Sequence, residues 1–231
     1  MKRAPTAEQY IEAVTKALNK CANPDVAPSQ QAYMKNHFEF FGIKSPERKL
    51  LQQAIRIDFQ LPSKADAEII ARHFWEQPQR ECQYLAQELL FKYKRQFEKS
   101  DVELFQFMIC TKSWWDTIDF IAPNLIGAYF KAFPEQRDPC LLQWLDSGNI
   151  WLQRSAVLFQ LKYKSDLDTK CLAHVIGSLL GSKEFFINKS IGWVLREYGK
   201  TNPKWVINFV EKTPLEKLSQ KEAMKILSTQ F

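Results

Sequence analysis

A chain of 231 residues, 45% apolar and 25% charged, has the size and balance of one folded soluble domain or a short repeat array, which excludes a chain without a core. Only 7 glycines and few alternating β-branched runs point to an almost entirely α-helical protein, and no stretch approaches the ~20 apolar residues of a membrane span. The net charge of +6 permits a polyanionic partner without requiring one, so the placement of the charges must decide.

The chain opens on basic residues, but Thr6-Ala7-Glu8-Gln9 reads as a capping box at the start of an amphipathic helix, so the apolar core of a signal peptide is missing. Helical segments divided by short Pro, Gly, Ser or Asn breaks are predicted at about residues 7–20, 30–41, 46–57, 64–76, 79–96, 101–110, 114–131, 136–146, 150–164, 167–180, 183–199, 203–211 and 220–228. Ser45-Pro46 and Asn202-Pro203 set proline just after a capping residue, and Gly148-Asn149 and Gly181-Ser182 separate a finished helix from a new one. Pro123 falls inside a helical pattern and predicts a kink or break just before it. No linker divides the segments, which makes residues 1–231 one expected domain. Cys21, Cys82, Cys110, Cys140 and Cys171 are scattered without a CxxC pair, and His37, His73 and His174 lack ligand spacing. That pattern predicts reduced thiols, no metal and no cofactor in a soluble cytoplasmic protein.

A repeat underlies the helices. Residues 81–95, 151–164 and 186–200 superpose on Tyr93, Tyr163 and Tyr198, with offsets 163−93 = 70 and 198−163 = 35. A period of 35 with two helices per unit is that of an α-solenoid, whose units bury their apolar faces only against their neighbours. Asp119, Arg154 and Lys189 follow the same period and should form a ridge along one surface.

The chemistry concentrates in Lys112-Ser113-Trp114-Trp115-Asp116-Thr117-Ile118-Asp119, where Trp115 and Asp119 lie one helical turn apart on a common face. Ser113 and Asp116 read as a capping box, which occupies Asp116 and leaves Asp119 without such a role. Arg154, Leu158 and Lys162 should share one helical face, with Ile150, Val157 and Leu161 supplying the core stripe. Phe185, Lys189, Trp193 and Arg196 should share another, followed by Lys200. Cations interleaved with aromatics suit phosphates and sugars, whereas a carboxylate among them repels phosphate and suits a cationic reaction centre. Plainer readings stand beside this one: Trp75, Trp114 and Trp151 as core, Asp119 and Arg154 as a structural ion pair between repeats, and the lysines as solvated surface.

Residues 114–119 (WWDTID), 149–154 (NIWLQR), 159–164 (FQLKYK), 183–186 (KEFF), 192–198 (GWVLREY) and 32–38 (AYMKNHF) resemble the AlkD family of bacterial DNA alkylation repair glycosylases over nearly the full chain. The resemblance implies an all-α superhelix of HEAT-like repeats whose concave basic face holds double-stranded DNA. It implies hydrolytic excision of cationic N3- and N7-alkylpurines, such as 3-methyladenine and 7-methylguanine, without extruding the base. It assigns Asp119 as the catalytic carboxylate, Trp115 and Trp193 as walls on the lesion's deoxyribose, and Arg154 as their DNA-contacting neighbour. Tyr33, Lys162, Phe185, Phe186, Lys189 and Arg196 match positions that line or support the same surface. The expected enzyme is a monomeric, monofunctional glycosylase associated with nucleoid DNA, with no membrane partner, although Lys112 and Lys189 leave a lyase step open. The rival readings are a non-catalytic HEAT-repeat DNA-binding or scaffold protein and, less favoured by the basic ridge, a protein-interaction solenoid.

Overall fold

A computed structural model of the chain describes residues 4–58 and 60–226. Among them the fold is all-α, with a single isolated bridge between Glu39 and Gln79 as the extended pairing. The chain divides into two compact units, Met1–Gln96 and Phe97–Phe231.

The N-terminal unit contains α1 (Ala7–Cys21), α2 (Ala27–Tyr33), α3 (Ser45–Asp58), α4 (Lys64–Glu76) and α5 (Arg80–Phe91), with α4 and α5 as its most closely packed pair. Both halves of the Thr6–Gln9 capping box form, and α1 packs on α3 and α4. The helix expected over residues 30–41 stops at Tyr33, because Lys35 and Asn36 take left-handed conformations at φ 57° and 59°. Beyond them the buried Glu81 carboxylate accepts the N–H groups of Phe41, Gly42 and Ile43 at 3.1, 3.1 and 3.0 Å. The Arg80 guanidinium lies 3.8 Å over the Phe38 ring. A buried acid from a distant helix thus satisfies the N–H groups that a local helix would have used, and the segment stays irregular.

The C-terminal unit contains α6 (Asp101–Cys110), α7 (Trp115–Ile121), a π-helical turn (Ala122–Ile126), α8 (Gly127–Ala132), α9 (Arg137–Asp146), α10 (Ile150–Leu158), α11 (Thr169–Ser178), α12 (Phe185–Gly199), α13 (Pro203–Lys212) and α14 (Lys217–Met224). Helices α7, α10, α12 and α14 are successive neighbours, and α6, α9, α11 and α13 pack beside them, so this unit is a stack of helical repeats. Asn149, Asp168 and Asn202 cap α10, α11 and α13 through their side-chain oxygens. The last predicted helix begins earlier than expected, at Lys217, and its residues 227 and 228 lie outside the described residues.

The 35-residue register has a physical basis in two of the aligned tyrosines. The Tyr93 hydroxyl donates to the Pro62 carbonyl at 2.5 Å and the Tyr163 hydroxyl to the Gly127 carbonyl at 2.7 Å, each reaching back about one repeat. Tyr129 does the same to Lys99 at 2.8 Å. Burial pushes the Tyr93 and Tyr129 phenols up to about 12, so these donors keep their protons.

Pro123 does not end its helix. Lacking an N–H, it cannot serve the Asp119 carbonyl four residues back, and the chain accommodates it with one wide turn in which Gly127 N–H reaches the Ala122 carbonyl. Asn124 Nδ2 then donates to the Phe120 carbonyl at 2.7 Å. Gly127 is required there by close approach: a Cβ would stand 2.6 Å from the Phe159 carbonyl oxygen. Gly127→Ala should therefore cost about 1–3 kcal/mol through overpacking. Gly177→Ala, on a helix with open space around the site, should be neutral or slightly stabilising. Denaturant melts of the two variants beside the parent test the contrast; equal stabilities would contradict it.

Candidate functional site

The turn into α7 differs from the predicted cap. Ser113 Oγ donates to the Ile109 carbonyl at 2.6 Å and Thr111 Oγ1 to the Phe107 carbonyl at 2.6 Å, so both hydroxyls close the end of α6. Between them Lys112 adopts φ 48°, a left-handed conformation uncommon for a residue with a Cβ, and reverses the chain. Trp114 is then the extended N-cap, without a side-chain cap bond, and α7 begins at Trp115. The expected Ser113–Asp116 box is thus corrected: the serine hydroxyl finds a carbonyl behind it before an N–H ahead of it.

Trp115 and Asp119 share the face of α7 that the spacing predicted, and both line a cleft of ≈ 260 Å³ with Arg154, Phe185, Phe186, Lys189, Trp193 and Arg196. Asp119 receives a two-pronged bond from Arg154: Nε to Oδ1 at 2.9 Å and Nη2 to Oδ2 at 3.0 Å. Arg154 also donates through Nη1 to the Phe186 carbonyl at 2.5 Å. One guanidinium on α10 thereby ties α7 to the start of α12. Its side chain is 4% exposed against 20% for Asp119, so the arginine is the buried support and the acid faces the cleft. Burial raises the Asp119 carboxyl above its ordinary value; the Arg154 charge and hydrogen bonds oppose this, and Asp116 adds to the rise.

Behind the pair, Trp114, Trp151 and Phe186 form a cluster with ring centroids 5.0–5.7 Å apart, and Phe185 meets Phe186 at 5.4 Å while remaining 58% exposed. Trp75 is a core residue, whereas Trp114 and Trp151 are half-buried supports of the cleft. Further along α12, Lys189, Trp193 and Arg196 share one face and also line the cleft. Lys189 and Arg196 both bind Glu222 of α14, the former at 2.7 Å. Spacing did not single out this acid, although it stands 222−189 = 33 residues after Lys189, close to the repeat length.

Two expectations on α10 are corrected. The helix ends at Leu158, so Lys162 does not continue the Arg154 face; its ammonium donates to Asn124 Oδ1 at 2.8 Å and is not part of the cleft lining. Leu158 is fully buried, because α10 is flanked by α6, α7, α9 and α12 and has no free stripe. Tyr33 lies in the N-terminal unit, 68% exposed, at the end of α2. A larger groove of ≈ 540 Å³ around Gln106, Phe107, Cys110 and Pro139 is lined by one acid, Glu103, and no cation. No cluster of His, Cys, Asp and Glu suited to a metal occurs among the described residues.

A family model described as DNA alkylation repair enzyme matches residues 14–227. The chain belongs to the DNA alkylation repair enzyme family. A solved structure described as a predicted DNA alkylation repair enzyme from Enterococcus faecalis is 30% identical, with a TM-score of 0.82 over 90% of this chain and 97% of that one. No curated protein matches the sequence. Family membership makes DNA the macromolecule to set against the cleft, and among the described residues no helix is long and apolar enough to cross a membrane.

Removing Arg154 leaves a partly buried carboxylate without its counter-ion. Arg154→Leu should lose about 3–5 kcal/mol near neutral pH. Without the cation the Asp119 pKa rises further, so the loss should be full above that pKa and shrink as the pH falls through it and the acid becomes neutral. Urea melts of parent and variant at neutral and acidic pH read the difference, and a pH-independent loss would contradict the ion-pair account.

Proposed function

We propose that this protein is a DNA glycosylase that hydrolyses the N-glycosidic bond of cationic N3- and N7-alkylpurines in duplex DNA, acting as a monofunctional enzyme of the AlkD type. The observation that carries the proposal is one cleft holding an ionisable carboxylate and two indoles, Trp115 and Trp193, with Lys189 and Arg196 on its wall. In a DNA repair family, that set answers the needs of a sugar cation held beside phosphates.

The chemistry needs little from the protein. Alkylation at N3 or N7 makes the base a cationic leaving group, so no acid has to protonate it. As the bond to the anomeric carbon breaks, positive charge moves onto the deoxyribose. Asp119, held by Arg154, supplies fixed negative charge to that carbon and a site from which to orient water. The Trp115 and Trp193 faces bound the sugar and favour its charge through their π-electrons. Hydrolysis leaves a free base and an abasic site. In this reading the cleft's carboxylate and indoles act on the sugar rather than on the base, so the base can stay in the stack and the cost of extrusion is avoided. Lys189 is engaged by Glu222, which favours hydrolysis over a lyase step through its amine.

In this reading residues 1–231 act as one domain and as a monomer in the bacterial cytoplasm, associated with nucleoid DNA. Phe185, Phe186, Lys189 and Arg196 serve the DNA surface of the C-terminal unit, and Arg154 serves it indirectly, by holding Asp119; Tyr33, in the N-terminal unit, and Lys162, outside the cleft, serve as separate DNA contacts. A non-catalytic DNA-binding scaffold is the second reading, and the Asp119–Arg154 pair favours it to the extent that an ion pair between repeats needs no reaction to explain it.

Asp119→Asn separates the two. It keeps the size and part of the hydrogen bonding but removes the charge, so single-turnover release of 7-methylguanine from methylated duplex should fall by roughly 10²–10³. Affinity for undamaged duplex should hold or rise. Absence of base release by the folded parent protein, or an unchanged rate in the variant, would sink the glycosylase mechanism. Trp115→Ala and Trp193→Ala should likewise slow excision more than they weaken binding to undamaged duplex; the reverse order would assign the indoles to grip alone.

A further inference from the structure

The 35-residue ridge extends to a fourth member. Asp119, Arg154 and Lys189 stand on α7, α10 and α12, and Glu222 stands near the next equivalent position on α14. The four pair in sequence, Asp119 with Arg154 and Lys189 with Glu222, but the second pair has an extra partner in Arg196. Lys189 and Arg196 are two turns apart on α12, with Trp193 between them, and Glu222 bridges both.

Packing delivers this acid to its place. At Gly192 a Cβ would meet the Glu222 Cβ at 2.5 Å and the Ser219 carbonyl oxygen at 2.8 Å, so α14 approaches α12 nearly backbone to backbone. Ser219 Oγ donates to the Asn188 carbonyl at 2.8 Å and fixes the register. Glu222 keeps 12% of its side-chain surface while Lys189 keeps 38% and Arg196 23%, so the cations reach the solvent side and the acid sits behind them. The hydrogen bond from Lys189 holds the carboxyl below the usual glutamate range, and it is ionised near neutral pH. The trio therefore carries a net charge of 2 − 1 = +1.

We propose that Glu222 is a specificity-setting positioning residue, which cancels one of the two positive charges beside Trp193 and so restrains the grip on undamaged duplex. This rests on the glycosylase reading. Affinity for undamaged DNA is dominated by phosphate contacts and carries no information about lesions, so excess positive charge would hold the enzyme on intact sites. The bridge also fixes the two cations, whose remaining N–H donors stay available to phosphate.

The test is fluorescence anisotropy of the full chain with an undamaged duplex over a salt series, for the parent, Glu222→Gln and Glu222→Met, the last keeping the packing volume beside Gly192. Both variants should bind several-fold tighter at low salt, with a log affinity versus log salt slope steeper by up to about 0.9. Adding Lys189→Met to Glu222→Gln returns the net charge to that of the parent and should restore the parent slope. A purely structural Glu222 would instead give weaker binding, a lower melting temperature and no compensation by Lys189→Met, and that outcome overturns the proposal. A parent that binds duplex with the same slope as both variants removes the Glu222 assignment alone. A parent without salt-dependent duplex binding removes the DNA reading and this inference with it.

Discussion

The two-pronged ion pair between Asp119 and Arg154 is the constraint on which the C-terminal unit's cleft depends. A guanidinium at 4% exposure is tolerable only if its donors are satisfied, and here they are divided between the Asp119 carboxylate and the Phe186 carbonyl. That division connects three successive helices of the repeat stack through one side chain. It also sets the electrostatics, because burial favours the neutral acid while Arg154 favours the anion.

The local chain around the acid is irregular in ways that trace to individual residues. Lys112 at φ 48° turns the chain after α6, the hydroxyls of Thr111 and Ser113 close the helix behind it, and Pro123 opens a π-turn directly after α7. Each departure lies within one or two turns of Trp115 or Asp119. Their joint effect is a short α7 whose start and end are both defined without a conventional cap, which fixes the direction of the Trp115–Asp119 face. Irregular backbone beside a functional cleft is a common use of π-turns and left-handed residues.

Much of the architecture could be read in the sequence because its determinants are local. Thr6, Asn149 and Asn202 announce their helices through caps within three residues, and the 35-residue recurrence of tyrosines and charges placed Asp119, Arg154 and Lys189 on neighbouring helices. What was missed depends on distant partners. Glu81 holds the backbone N–H groups of residues 41–43, at and just beyond the end of the helix predicted over 30–41, an effect that no window around residue 40 contains. The Asp119–Arg154 pair was one of the readings that the spacing offered, but periodicity put Arg154 on a surface face and did not show its burial between α7 and α12. Lys162 left the expected face when α10 stopped at Leu158, and Glu222 was hidden in a C-terminal helix of unremarkable composition.

If ionised Asp119 acts on a sugar cation, as proposed, the pH dependence of single-turnover 7-methylguanine release from methylated duplex must report its titration. The rate should rise with pH as a single ionisation whose midpoint lies above the ordinary aspartate value, then reach a plateau on which the acid is fully charged. A rate without any acid-side ionisation, or one that falls as the pH rises through the acid range, would contradict it.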